Sequence, residues 1–233
     1  MELCILIPAH NEETSLAKTV AHFDEFLAPI VFFNILVIND HSNDNTFTVL
    51  RELKKKYPNF SFFNNEKASG VGNAIRFGLE KWKGDIIAIC MADGSDSPMD
   101  ILKSYYKIVD EGYNCVFGSR FIRKGDVNGY PLKKLILNRV FNFFVKLFTR
   151  INYNDFTNIF KVYHRSAIQT ISPIEATGFN IGLEMSLKAF KNNLKIAIVP
   201  ISWRQRSNGM SKLNIRKNIK LYISTLIKHL TDA

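Results

Sequence analysis

Acidic residues, cysteines and long apolar runs are all scarce in this sequence of 233 residues, and each shortage excludes something. Its three cysteines, Cys4, Cys90 and Cys115, lie inside apolar strand-like runs without metal-ligand spacing, so they read as reduced core thiols, which excludes a disulfide framework or a cysteine metal site. His10, His41 and His164 likewise form no metal-ligand spacing. No run reaches the roughly 18 uninterrupted apolar residues that a spanning helix needs. Phe26 to Ile38 is broken by Pro29 and Asn34, and Val140 to Phe148 by Asn142 and Lys146. The start, Met1 to Pro8, has neither a basic region nor a small-residue cleavage site, so it reads as a first strand and the expected location is cytoplasmic. Against 21 Asp and Glu stand 31 Lys and Arg, a net charge of +10, which implies an anionic partner: nucleic acid, an anionic membrane surface or a phosphorylated substrate. Charge alone does not choose among them.

What is present is 46% apolar composition, enough for one sizeable core, and no internal repeat or low-complexity linker to divide it. Strand-like runs alternate with helix-period segments: Glu2 to Ile7, a helix from about Thr14 to Leu27, Ile35 to Asn39, a helix from about Asp44 to Lys56, Phe60 to Phe63, a helix from about Val71 to Lys81. The rhythm continues with Asp85 to Met91, a helix from about Met99 to Glu111, and Asn114 to Gly118. It predicts an α/β fold with a mainly parallel central sheet flanked by helices. After Gly118 come a loop, Ser119 to Pro131, a long apolar and basic helix, Lys133 to Arg150, and a short strand pair around Asp155 to Tyr163. Helices near Arg165 to Ile171 and Ile181 to Lys191, a strand at Lys195 to Pro200 and a last helix from about Leu213 to Leu230 complete the chain, as one domain over 1–233. Residues 1–118 form its first half, and 119–233 read as a substrate-side elaboration.

In such sheets ligands bind outside the carboxyl ends of the strands. Three strand ends carry unusual polar residues: Pro8-Ala9-His10-Asn11-Glu12-Glu13, Asn39-Asp40-His41-Ser42-Asn43-Asp44 and Ala92-Asp93-Gly94-Ser95-Asp96-Ser97-Pro98. Each alone reads equally as helix capping; three on one rim point to a shared anionic site. Asp93 and Asp96 suit a hard divalent cation bridging a diphosphate, with an N-cap for the Pro98 helix as the competing role of Asp96. Gly70-Val71-Gly72 suits a backbone approaching a ligand, although the dinucleotide fingerprint is incomplete.

With these blocks in order, the sequence resembles the family 2 inverting glycosyltransferases, and within them the dolichol-phosphate or polyprenyl-phosphate sugar transferases. The match runs from Leu6 to about Leu213. Leu6-Ile7-Pro8-Ala9-His10-Asn11-Glu12-Glu13 is similar to the opening motif, with His10 where a tyrosine is usual. Val37 to Thr46 is similar to the Asp-Asp-Gly-Ser segment; Asn39 and His41 depart from it, so Asp40 inherits the base-contacting carboxylate. Ser69 to Gly78 is similar to the glycine-rich helix start, with Val71 for the usual lysine. Met91 to Pro98 stands where the family has Asp-x-Asp, and Pro98 sets the register that puts Asp93 on the second aspartate. The lipid-phosphate branch is favoured by Gly118-Ser119-Arg120-Phe121, Pro131-Leu132-Lys133-Lys134, Asn154-Asp155-Phe156-Thr157-Asn158-Ile159-Phe160-Lys161, Gly178 to Glu184, and Pro200 to Arg206 through Ser211-Lys212-Leu213.

The resemblance implies a GT-A-type fold and a metal-dependent transfer, with Mg²⁺ or Mn²⁺, from a UDP- or GDP-linked sugar to a polyprenyl phosphate. It implies donor contacts at Pro8, His10, Glu12, Asp40, Gly70, Asn73 and Arg76, a metal at Asp93 with Ser95 and Asp96, catalytic roles for Asp93, Arg120, Lys134 and Arg206, and acceptor-side roles for Asp155, Thr157, Glu184, Ser211 and Lys212. A phosphate acceptor is already ionised and needs no base; the alternative is a hydroxyl acceptor, for which Asp155 or Glu184 would be the base. A nucleic-acid partner is not expected, because the phenylalanines fall at core spacing and no such motif is present. Trp82 and Trp203 read as core or rim aromatics. In the last helix Ile215, Ile219, Tyr222, Ile223, Leu226, Ile227 and Leu230 recur at helical spacing, and Lys133 to Arg150 carries a basic stripe, so peripheral attachment to an anionic membrane surface stands beside ordinary packing.

Overall fold

Strand β1, Leu3–Ala9, has all seven residues buried, as a central strand covered on both faces must. Alternation sends Leu3, Ile5 and Ile7 into one core, and Cys4 and Leu6 into the other. The computed structural model describes residues 1–122, 127–128, 132–204 and 215–231. Its sheet has seven strands in the order β3-β2-β1-β4-β7-β5-β8. They are β2 (Phe33–Asn39), β3 (Phe60–Asn64), β4 (Ile86–Ile89), β5 (Cys115–Ser119), β7 (Lys161–His164) and β8 (Ile196–Pro200) beside β1. A separate parallel pair joins β6, Val127–Asn128, to β9, Trp203–Arg204.

Helices α1 (Leu16–Leu27), α2 (Thr46–Lys56) and α4 (Pro98–Val109) lie on one side. Leu16, Val20, Phe23 and Leu27 of α1 meet Ile101, Tyr105 and Ile108 of α4 in the first core, a 3.6-residue stripe on each. Helices α3 (Val71–Lys81), α6 (Arg165–Ile171) and α7 (Ile181–Lys191) fill the other core, through Ile75, Phe77, Ile168, Leu183 and Leu187. Helix α5 (Leu132–Thr149) and helix α8 (Ile215–Thr231) touch through Phe141 and Tyr222, ring centroids 5.2 Å apart.

Two expectations are corrected. The strand pair placed around Asp155 to Tyr163 is a single strand, β7, antiparallel to both β4 and β5, which it separates. The span read as a loop, Ser119 to Pro131, contains β6. The expected capping role of Asp96 also fails: Ser97 is the N-cap of α4, and Asp96 turns back to accept from the Met91 amide at 2.7 Å. The three cysteines are buried and unpaired as expected, and burial pushes the Cys4 thiol up to about 12.

Strand order reverses between β1 and β4, since β1 continues outward to β2 while β4 starts the other wing. The crevice beyond the carboxyl ends of this pair is where an open α/β sheet takes its ligand.

Candidate active site

The loops after β1 and β2 are bound to each other. Asn11, at φ 52°, donates its amide to Ser42 Oγ (3.0 Å) and accepts from the Asn43 amide at 2.7 Å. The Glu12 amide donates to Thr46 Oγ1 at 2.8 Å, and the Glu12 carboxylate accepts from Ser15 Oγ at 2.6 Å. His10 places Nδ1 2.5 Å from the Asp40 carbonyl oxygen, so that nitrogen carries the proton. Pro8 is enclosed within β1.

Asp40 is buried at the end of β2 and organises the third loop. Its Oδ1 accepts from Asn65 Nδ2 (2.8 Å) and lies 3.2 Å from His41 Nδ1, while Oδ2 accepts from the Gly70 amide at 2.9 Å. Asn73 donates to the Ala68 carbonyl (2.8 Å), and Arg76 donates to Asn73 Oδ1 and the Glu175 carbonyl. Gly70 and Gly72 make room for a neighbouring backbone segment. A Cβ on Gly70 would lie 2.5 Å from the Thr177 carbonyl oxygen, and one on Gly72 2.5 Å from that of Ala176. The same Thr177 oxygen accepts from the Gly72 and Asn73 amides, at 3.1 and 3.3 Å. The phosphate-seeking N-terminus of α3 is thereby capped by segment 176–178.

At the end of β4, Asp93 is half-buried and its Oδ1 accepts from the Ser95 amide at 3.1 Å. Asp96 lies deeper. Burial, with Asp93 and Asp100 adding to it, pushes the Asp96 carboxyl up to about 7 against the opposing pull of the Met91 amide and Arg120. A buried carboxyl beside a second one is a place short of positive charge, which fits a divalent cation. Among the described residues no group of three or more His, Cys, Asp or Glu could hold a metal. A cation at Asp93 and Asp96, with Ser95 beside them, would therefore take its remaining oxygens from a diphosphate and water.

Facing these carboxyls, Arg120 follows β5. Its Nε and Nη2 grip the two oxygens of Asp155 at 2.9 and 2.7 Å, and its amide donates to the same carboxylate at 3.0 Å. Asp155 is wholly enclosed and Arg120 is buried, so this arginine is not a surface charge; Asp155 orients it as a bidentate pair. Thr157 Oγ1 accepts from Asn138 Nδ2 of α5 at 2.8 Å. Glu184 accepts from the Glu175 and Ala176 amides at 2.9 and 2.6 Å and pairs with Lys188 at 2.7 Å, which holds the segment that caps α3.

The structure thus brings His10, Glu12, Asp40, Gly70, Asn73 and Arg76 into one connected set of loops and sets Asp93 and Asp96 within the field of Arg120. Lys134 lies on α5 with its side chain outside the described residues, as do Arg206, Ser211, Lys212 and the Trp203 ring. Trp82 is a core aromatic as expected, with the Arg165 guanidinium 4.0 Å from its ring centre. Three contributors were missed. Asn65 and Thr177 gave no sequence signal. Lys161 stood in a matched block without a role, and it is fully buried, donating to the Phe156 and Asn158 carbonyls under Asp155.

Comparison with known proteins agrees with this arrangement. Residues 4–172 match the family described as Glycosyl transferase family 2. The chain is 27% identical over 223 residues to the polyprenol monophosphomannose synthase of Mycolicibacterium smegmatis, a match covering 91% of this chain and 82% of that protein. It is 27% identical over 240 residues to the UDP-N-acetylglucosamine–dolichyl-phosphate N-acetylglucosaminyltransferase of Methanococcus voltae, covering 96% and 94%. In fold it is similar to glucosyl-3-phosphoglycerate synthase from Mycobacterium tuberculosis in complex with Mn²⁺, uridine diphosphate and phosphoglyceric acid, with a TM-score of 0.70 at 18% identity over 98% of this chain and 78% of that one.

Proposed function

Because this chain belongs to glycosyl transferase family 2, we propose that it transfers a sugar from a nucleoside diphosphate, UDP or GDP, to a polyprenyl phosphate with inversion at the anomeric carbon. The observation that carries this reading is the state of the acceptor-side carboxylates. Asp155 is enclosed in its pair with Arg120, and Glu184 is engaged by two amides and Lys188. Neither is placed to take a proton from a hydroxyl, which suits an acceptor that arrives already ionised. The names of the two curated relatives speak of polyprenol monophosphomannose and dolichyl phosphate.

In the proposed reaction a phosphate oxygen of the acceptor forms the new bond to the anomeric carbon as the bond to the donor's diphosphate breaks, and the electron pair leaves on the nucleoside diphosphate. Pro8, His10, Glu12 and Asp40 border the nucleotide, and Gly70 with Asn73 and Arg76 of α3 sets its floor. Arg120, oriented by Asp155, presents positive charge between the two phosphates, with Lys134, Arg206, Ser211 and Lys212 as further contacts and Thr157 fixing the Asp155 segment. A divalent cation, Mg²⁺ or Mn²⁺, held by Asp93 with Ser95 and Asp96, would stabilise the leaving diphosphate. The enzyme acts at the cytoplasmic face of a membrane; no helix among the described residues is long and apolar enough to cross one.

The test is a radiolabelled transfer assay comparing short polyprenyl phosphates with free alcohols and saccharides, with Mn²⁺ or chelator. The expected result is metal-dependent transfer to the phosphate, lost in a folded Asp93→Asn variant. Preferential transfer to a hydroxyl, abolished in Glu184→Gln or Asp155→Asn, would replace this reading with the base-catalysed one.

A further inference from the structure

A lysine of β7 lies fully buried where the core would more cheaply hold an aliphatic side chain. Lys161 is 1% exposed, and its Nζ donates to the Phe156 carbonyl at 3.4 Å and to that of Asn158. The rings of Phe117 and Tyr153 are centred 5.6 and 5.9 Å from the same nitrogen. Helix α7 closes the cage at Gly182, where a Cβ would lie 2.7 Å from the Asn158 carbonyl oxygen and 3.5 Å from Nζ. These partners all accept: they are carbonyl oxygens and ring faces. Two donors beside them are spent, since Tyr153 Oη and Asn158 Nδ2 both donate to the Gly118 carbonyl, at 2.8 and 3.2 Å. A neutral amine would leave its lone pair without a donor here, so the cage suits an ammonium.

That ammonium changes the charge of the acceptor side. Arg120 and Asp155 form a closed bidentate pair whose charges cancel, and a neutral pair draws a phosphate only weakly. Lys161 lies beneath the pair. Burial opposes its charged form, Asp155 favours it and Arg120 opposes it, which brings the ammonium down to about 7. Those two are the charged groups that act on it. The other elements packed against it bring Ile89 of β4, Phe117 of β5, Gly182 of α7 and the phenol of Tyr153, which burial keeps neutral. A phosphate arriving beside Arg120 would offset that arginine's opposing field and tip Lys161 to its charged form. We propose that Lys161 gives the enclosed Arg120–Asp155 pair a net positive charge, taking up a proton from solvent when the acceptor's phosphate binds, and so sets the affinity of this site for phosphate. Lys161 touches no substrate and acts through the pair, as a positioning residue. The inference rests on the reading of the acceptor as a phosphate.

The experiment is calorimetric titration of the full chain with citronellyl phosphate, a short prenyl phosphate, from pH 7 to 9 in two buffers of different ionisation enthalpy. Mg²⁺ and a nucleoside diphosphate are present to hold Asp96 ionised. Over this range the ligand is already a dianion, its second pKa being about 6, so a proton taken up belongs to the protein. Expected for the parent is an affinity that falls by up to about tenfold per pH unit, with uptake of about one proton per phosphate bound at pH 8. Lys161→Met should bind at least about tenfold more weakly at pH 7, with neither pH dependence nor uptake. Lys161→Arg, whose charge is fixed, should keep the binding and lose both. The parent measurement needs no variant, so a substitution that fails to fold leaves the test intact. Parent binding that is flat in pH and without uptake overturns the inference while leaving the phosphate acceptor in place, and so does uptake that persists in folded Lys161→Met. No binding of the prenyl phosphate at any pH overturns both.

Discussion

Helices α3 and α5 expose different chemistry, though both flank the same core. Helix α3 buries Ala74, Ile75 and Phe77 and exposes Glu80 and Lys81. Helix α5 buries Asn142 beside Val145 and exposes Phe143, Phe144 and Leu147. The hydrophobic effect orders a helix by the medium on each side and not by the identity of the core. Helix α3 has water on its outer side. Helix α5 carries hydrocarbon on its outer side, and its amides can face inward because Thr157 and the Phe156 amide satisfy them. The nucleotide side and the α5 side are thus built to different rules within one fold.

Four comparisons sharpen that contrast. The largest effect is expected at the pair joining the two sides. Asp155→Asn leaves the Arg120 guanidinium buried without its counter-charge and should destabilise the fold by about 3–5 kcal/mol in urea denaturation, while the double variant Asp155→Leu/Arg120→Met should be less damaged than the sum of its singles. Additive losses would mean that the pair is not a unit. Next, Gly72→Ala drives a methyl into the 176–178 backbone and should cost about 1–3 kcal/mol. Nucleotide affinity should fall with it, and a variant as stable as the parent would show that the segment yields.

On α5 the polarity comparison can be inverted directly. Asn142→Leu, which adds hydrocarbon to the inner face, should lose about 1–2 kcal/mol, because the Phe156 amide is left without its acceptor. Leu147→Ser, which removes hydrocarbon from the outer face, should change stability in water by under about 0.5 kcal/mol. The reverse ranking, read from denaturation midpoints, would make α5 an ordinary amphipathic helix. The remaining effect is a pH dependence. Burial lowers the Lys161 ammonium to about 7, with Asp155 raising it and Arg120 lowering it further. Between about pH 7 and the ordinary lysine range near 10.4 the unfolded chain then binds more protons than the folded one, so stability rises with pH, by under about 1.4 kcal/mol per unit. Lys161→Met should lack this rise between pH 7 and 9; parallel curves for the two proteins would place the charge elsewhere.

Period and punctuation made most elements legible. The 3.6-residue stripe of α1 and the short apolar runs of β1 and β2 depend on neighbours in sequence, and their ends fell within two residues of expectation. The orientation of β7 did not show, because Lys161-Val162-Tyr163-His164 reads the same whichever way its neighbours run. The strand ends of the site were legible as polar clusters, but not what each carboxylate would hold. Arg120 meets Asp155 across 35 positions, and Asp40 meets Asn65 across 25, links that only the folded chain makes. The packing of the glycines against segment 176–178 was not legible, because that segment lies about a hundred residues away. One signal was present and unused: Asn138 and Asn142, four apart in an apolar and basic helix, share one face, and that face points inward.

The antiparallel strand β7 has a consequence for how this domain can be altered. Strand β5, from the first half of the chain, is held on both sides by strands from the other half, β7 and β8. A cut after Gly118 would leave β5 without either neighbour and would expose its Cys115, Val116 and Phe117, all wholly buried in the intact sheet. The second half cannot then be exchanged as a cassette by grafting one relative's on to another's first half. A workable chimera has to carry β5, β7 and β8 together, with the seam in the loop before Cys115.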